Sequence, residues 1–433
     1  MEHAAARALR SPGKNRSKRK MPLTRAAKMI LTLPLVAAAG WLGTNAQFYN
    51  EALVSAFFGL TLASVLVIHF RIRPSWRDAL LVLAGTLLLA AVDFRLLHFK
   101  PAIMAWPSFA GLCSLLILGL RTLWAKDADR KLLLLGFVPS VLFVTSEYFA
   151  DNLLRWTSTV HPRVFDLYLF SFDCSLHVQI PFLVGQAFSL WPNLRAAGLI
   201  FYIALPIPIA LIYAGRVLRT REKAIPSFVA FLATGPAGVL FYNLLPALGP
   251  VHVFGQAFPW HPLSTAQAAH LLLEPIALSG APNAIPSLHM AWVLLVWWYS
   301  RGLSWWERSI ALAFLFFTAL ATVGTGEHYI VDLIVAFPFA LMMEALCEFS
   351  QPLMDRRRLT ALGVGFFGTL LWLLALRYAV HIFWISALLP WTFSAGTIAA
   401  SLVCEGHLQG GASFSGAHTT LAPHRTACLR SPE

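Results

Sequence analysis

Two short stretches of this sequence hold residue types able to do chemistry: "IPSLHMAW", with Pro286, Ser287 and His289, and "GTGEHYIVDL", with Thr325, His328 and Asp332. Each heads a long apolar run. His328 and Asp332 are four apart, so on a helix they share one face. A carboxylate can then orient an imidazole and raise its basicity, as a nucleophile or general base requires. A solvated pair at a helix end is the competing reading of that spacing alone. Pro286 suits the first turn of a helix, where Ser287, Leu288 and His289 offer backbone N–H groups at the positive end of the dipole, an arrangement that binds phosphate. Thr325 and Gly326 could open the second helix in the same way and aim another N-terminus at the same space. A lone histidine would read as interfacial packing; two helix ends, two histidines and an aspartate together suit phosphoryl transfer.

Composition says what scaffold must position these groups. The chain of 433 residues is 58% hydrophobic and 12% charged, with a mean hydropathy of +0.66, whereas a soluble domain carries about 25% charged residues. It reads as all-α, a polytopic membrane helix bundle. At about 20 apolar residues per span, about twelve transmembrane helices are expected. They lie near 26–44, 51–70, 79–97, 101–120, 131–150, 196–219, 225–246, 287–301, 307–324, 328–347, 359–378 and 380–403. Lysine and arginine concentrate in alternate loops, from the basic arm 1–25 to Arg356, Arg357 and Arg358, while the loop 247–286 has neither. Positive loops stay cytoplasmic. The N-terminus is therefore expected in the cytoplasm, with His289 and His328 both starting inward-running helices at the outer face, be it periplasmic, extracellular or luminal. At about 1.5 Å per residue the chain between them suffices for one helix across and one back. The net charge of +13 is then a topology signal plus attraction to anionic lipid, and implies no nucleic-acid partner. The five cysteines show neither paired nor zinc-like spacing. The tail 405–433, rich in glycine, serine and proline, reads as disordered.

At this point the sequence resembles the type 2 phosphatidic acid phosphatase superfamily of membrane lipid phosphatases and phosphotransferases. Its second motif, P-S-x-H, matches Pro286, Ser287 and His289, and its third, ending H-x-x-x-D, matches His328 and Asp332. The resemblance implies a six-helix catalytic core over 131–348, preceded by an accessory bundle over 26–130 and followed by two further spans over 349–404. It implies that His328 attacks phosphorus to form a phosphohistidine supported by Asp332, that His289 protonates the leaving group, and that Ser287 holds a phosphate oxygen. Substrates would be phospholipids or lipid phosphates, with no metal or other cofactor.

Departures from the family pattern carry information. The phosphatase branch has a basic first motif and a Ser-Arg pair ahead of the third-motif histidine; here the matching outer loop has no basic residue, and Ala321 and Thr322 occupy the Ser-Arg positions. The pattern looks more like the inositol phosphorylceramide synthase branch, which transfers a phospho-headgroup between lipids. A replacement cation is expected, because an unpaired charge in a partly dry site is costly. Candidates are Arg155, Arg163, Lys100, Arg95, Arg195, His252 and His261. Arg155 continues a stripe with Glu147 and Asp151, which could equally be a self-satisfied salt bridge. The aromatic segment 161–183, with Asp166, Asp173 and His177, is expected to be a surface-lying or re-entrant lid. A lipid transporter or flippase is the reading from another class, although no repeated halves with broken helices are visible.

Overall fold

A computed structural model of the chain describes residues 56–97 and 105–415, which are mostly helical apart from the long stretch 243–287. The basic arm, the span expected at 26–44 and Lys100 lie outside the described residues. A first bundle comprises α1 (Ala56–Ile72), α2 (Trp76–Val92), α3 (Ala105–Trp124) and α4 (Asp127–Val160). α1 and α3 meet at Gly111, where an added Cβ would lie 2.0 Å from the Leu62 carbonyl oxygen. Only glycine lets these two backbones approach so closely. A polar knot ties α2 to its neighbours: Arg121 donates to Asp78 at 2.5 and 3.0 Å, and His69 joins Ser114 at 2.7 Å while facing Asp78 at 3.6 Å.

The rest of the chain runs β1 (Arg163–Val164), α5 (Asp166–Ser175), α6 (Ile180–Leu190), α7 (Pro192–Ile203), α8 (Pro206–Arg219), α9 (Arg221–Tyr242), the short α10 (Pro250–Phe254) and α11 (Thr265–Ala269), and β2 (Ile276–Ala277). Then come α12 (Leu288–Tyr299), α13 (Trp305–Gly324), α14 (Ile330–Cys347), α15 (Arg356–Ala379) and α16 (Leu389–Ser415). The two strands pair antiparallel, Arg163 opposite Ala277. α14 is the hub, buried along most of its length and packed against α9, α12, α15 and α16. α1 docks on α8 and α4 on α9, joining the first bundle to this core.

Among the described residues five helices are long and apolar enough to cross a membrane: Ala105–Trp124, Lys223–Tyr242, Trp305–Gly324, Ile330–Cys347 and Arg356–Trp384. Counting the two bent pairs as one span each, α5 with α6 at 90° and α7 with α8 at 50°, raises the number to seven. The chain is thus an all-α integral membrane protein, but length and hydropathy do not reproduce the expected twelve spans among the described residues. α12, with 12 residues, is too short for a hydrocarbon core of about 30 Å. The expected span at 196–219 breaks before Pro206, whose ring cannot continue the hydrogen-bond ladder.

Two further expectations change. The 161–183 segment is no surface lid: α5 is buried along most of its length, and the chain turns at His177, which has a positive φ of 58°. The tail expected to be disordered from 405 remains helical to Ser415. Buried Glu405 accepts from Arg301 at 2.5 and 2.6 Å, and Gln409 donates to Glu344 at 2.5 Å, so this turn has polar partners inside the bundle that its composition does not advertise.

Candidate active site

The site is built where two helices begin side by side. Ser287 caps α12 with its hydroxyl, accepting from the Met290 N–H at 3.4 Å, while its own N–H donates to the Asp332 carbonyl at 3.2 Å. One backbone bond therefore locks the start of α12 to the first turn of α14. Tyr329 stands at the N-cap of α14 and makes no side-chain cap bond to the backbone. Two acids supply what it lacks. Asp332 turns back to accept from the Tyr329 N–H at 2.8 Å, and Asp173 of α5 accepts from Ile330 N–H at 2.9 Å and Val331 N–H at 3.3 Å. These are the donors that a helix start leaves unpaired, and a carboxylate there also complements the dipole.

His328 precedes the helix rather than lying on it, its N–H held by the Thr322 carbonyl at 3.2 Å. Its ring spans the site. Nδ1 lies 3.3 Å from Asp332 Oδ2, and Nε2 lies 3.3 Å from Ser287 Oγ. An ionised carboxylate only accepts, so Nδ1 carries the ring proton and Nε2 presents its lone pair toward Ser287. Ser287, His328 and Asp332 are all buried.

A second ring of support lies behind. Asp166 of α5 accepts from Leu248 N–H at 3.0 Å, Gly249 N–H at 2.7 Å and the Tyr329 hydroxyl at 3.2 Å. It thereby clamps the 247–251 loop against the turn that carries His328. Val251 N–H continues the clamp, donating to the Gly326 carbonyl at 2.9 Å. Gly249 has φ +125°, and an added Cβ would sit 2.4 Å from the Glu327 carbonyl oxygen, so the close approach requires glycine.

His289, in the first turn of α12, is held by aromatic rings. Tyr202 stacks on it at 3.8 Å between centroids, and Phe57 and Trp292 each meet it edge-on at 5.9 Å. Its Nε2 has no hydrogen-bond partner. His289 and His328 line the same cavity, of about 520 Å³. Phe57 belongs to the first turn of α1, so the first bundle reaches the site.

The expected phosphate-binding groups fare unevenly. Thr325 does not open α14: it closes α13 as C-cap, its hydroxyl committed to the Ala321 carbonyl at 2.8 Å, because Gly326 at φ +79° turns the chain between the two helices. Arg163 lies exposed on β1, Arg95 and Arg195 are exposed, and His261 is exposed. The side chains of Arg155, Glu147 and Asp151 lie outside the described residues. His252 faces Glu327 at 3.6 Å. The Glu327 carboxylate raises its pKa from the ordinary 6.5. Among the described residues no lysine or arginine makes a hydrogen bond or ion pair to Ser287, His289, His328 or Asp332, and no cluster of metal-ligating side chains occurs.

Asp166 and Asp173 carried no role in the sequence reading. Their signal was available, since residues seven apart in an apolar helix face the same side, and two acids there need donors. Tyr202, Phe57 and Trp292 left no comparable sign.

No curated protein and no solved structure matches the chain. A family model described as PAP2 superfamily matches residues 167–346, a segment that contains Asp173, Ser287, His289, His328 and Asp332. The match supports that superfamily for this segment and, with the apolar helices, suggests phosphatase-type chemistry on phosphate esters in a bilayer setting.

Proposed function

We propose that the protein transfers a phospho-headgroup onto a lipid alcohol through a phosphohistidine on His328, at the outer membrane face. The observation that carries this reading is the His328 ring, held between an acceptor-only carboxylate on Nδ1 and a helix-capping serine on Nε2. In the first half-reaction Nε2 attacks phosphorus, the bond from phosphorus to the leaving oxygen breaks, and His289 gives that oxygen a proton. In the second, an acceptor hydroxyl attacks the phosphohistidine, the P–N bond breaks, and the hydroxyl proton returns to His289. The Ser287 hydroxyl and the His289 N–H at the start of α12 hold phosphate oxygens.

Transfer is favoured over hydrolysis by charge. Three buried carboxylates, Asp166, Asp173 and Asp332, surround the site, and no described guanidinium or ammonium contacts its four central residues. Such a site suits a phosphodiester with one negative charge better than a monoester with two. The alternative, a lipid phosphate phosphatase, takes a phosphomonoester and uses water as the acceptor.

The test is turnover of a panel of labelled phospholipids by the purified protein, with and without lipid alcohols, beside His328→Ala. The expected result is a new phospholipid and an acid-labile phosphoenzyme, both lost in the variant. Free phosphate in place of a new lipid would make it a phosphatase. Identical behaviour of wild type and variant across the panel would sink the catalytic reading and favour transport.

A further inference from the structure

The first bundle lies outside the segment that matches the family, yet it forms one wall of the cavity that opens onto the two histidines. At the polar end stand His289, His328 and Asn283; the other walls come from α1, α4, α7, α8, α9 and α12, and among the described side chains no lysine, arginine, aspartate or glutamate lines them. Phe143 and Leu154 of α4 both line it. They are separated by about 16 Å at about 1.5 Å per residue, which is roughly half of a hydrocarbon core about 30 Å thick. The space therefore extends along α4 over that length. Water would find few partners along such walls, whereas a hydrocarbon chain loses nothing there.

We propose that α1 and α4 complete a subsite for the hydrocarbon chain of the substrate, and that Gly235 keeps it open and sets which chains fit. The proposal rests on the reading above that the substrate's phosphate sits at His328. The observation behind Gly235 is local. It lines the cavity on α9, and a Cβ built there meets only Trp292 Cζ2, at an ordinary 3.8 Å. Trp292 cannot swing away without cost, because its indole N–H donates to the Phe231 carbonyl at 2.9 Å. A leucine at 235 is thus accommodated by the helix but projects into the space the chain would occupy. Phe57 contributes twice, walling the cavity and bracing the edge of His289, so chain and headgroup sites share one side chain.

The experiment uses the full chain in detergent and a hexadecyl phosphonate with a diazirine near the chain terminus. Peptides labelled on irradiation are mapped by mass spectrometry, with unmodified hexadecyl phosphonate as competitor. The expected result is competable label on α4 between Phe143 and Leu154 and on α9 between Phe231 and Val239. Gly235→Leu should lower it about tenfold, because about two methylenes lose their burial. Its thermal midpoint should stay near wild type. Label that resists competition, or that Gly235→Leu leaves unchanged, overturns the subsite. Failure of the catalytic reading looks different: labelling intact in wild type and in His328→Ala, with neither turnover nor phosphoenzyme.

Discussion

Asp332→Asn tests which way a buried amide must point. In the native site Asp332 Oδ2 receives the Tyr329 N–H at 2.8 Å and faces His328 Nδ1 at 3.3 Å, while Oδ1 is buried without a partner. An asparagine can place either its oxygen or its NH2 at the Oδ2 position. The NH2 would confront the Tyr329 N–H donor with another donor, stranding it at about 1–3 kcal/mol. The oxygen therefore takes that place, and His328 keeps its proton on Nδ1. Only the negative charge is lost. A hydrogen bond to a charged group is worth about 1.5–3 kcal/mol and a neutral one about 0.5–1.5, so the difference is about 1–2 kcal/mol. That corresponds to about a 5- to 30-fold fall in kcat. Stability should drop by about 1–3 kcal/mol, since the NH2 then occupies a position with no acceptor. Asp332→Ala, which removes the acceptor from both donors, should fall much further, toward the roughly 10⁴-fold that a misdirected catalytic histidine costs elsewhere. The assay is kcat for a labelled phospholipid together with the thermal midpoint of each variant. A loss in Asp332→Asn as deep as that of His328→Ala would refute the orienting role given to Tyr329. An unchanged kcat would refute any action of Asp332 on His328.

Asp173→Ala should cost about 2–4 kcal/mol and lower kcat, because it strips the acceptor from two N–H groups at the start of α14; a melting curve like that of wild type would contradict the capping role. Gly249→Ala forces a Cβ to 2.4 Å from the Glu327 carbonyl at φ +125°, so stability should fall by about 1–3 kcal/mol or more, with kcat falling as the His328 turn shifts. The His252–Glu327 pair raises the histidine pKa above 6.5, so its stabilisation is complete below that value and disappears as pH rises through the raised one. The pair is well exposed, hence worth under about 1 kcal/mol; the gap in thermal midpoint between wild type and His252→Asn should be present near pH 6 and close in alkaline buffer. Truncation after Cys404 removes Glu405 and Gln409, leaving Arg301 and buried Glu344 without their partners. The expected loss is about 2–3 kcal/mol, discounted for the exposure of Arg301, and a truncated chain as stable as the whole would show that the last turns of α16 contribute nothing.

What the sequence discloses and what it withholds divide along the range of the interaction. His328 and Asp332 are four residues apart, Ser287 stands just ahead of an apolar run, and both relations are local, set within one turn of a helix start even though His328 itself precedes its helix. Asp173 reaches a helix start 157 residues away, and Phe57 reaches His289 only because α1 docks beside α8 and near α12; no local pattern encodes such packing. Thr325 marks the boundary between the two cases. A threonine followed by glycine reads as a helix opening, but the same pair closes α13, since a hydroxyl can bond back to its own helix and a glycine can take the left-handed turn that ends one. The next helix start was nonetheless traceable by elimination. Tyr329 cannot cap α14 as a serine or aspartate would, Asp332 serves one N–H, and two more must find an acceptor away from water. In a sequence with so few acids, an apolar helix carrying Asp166 and Asp173 two turns apart is a natural source. Matching uncapped helix starts to stranded intramembrane acids is therefore a test that sequence alone permits, and here it leads from α14 to α5.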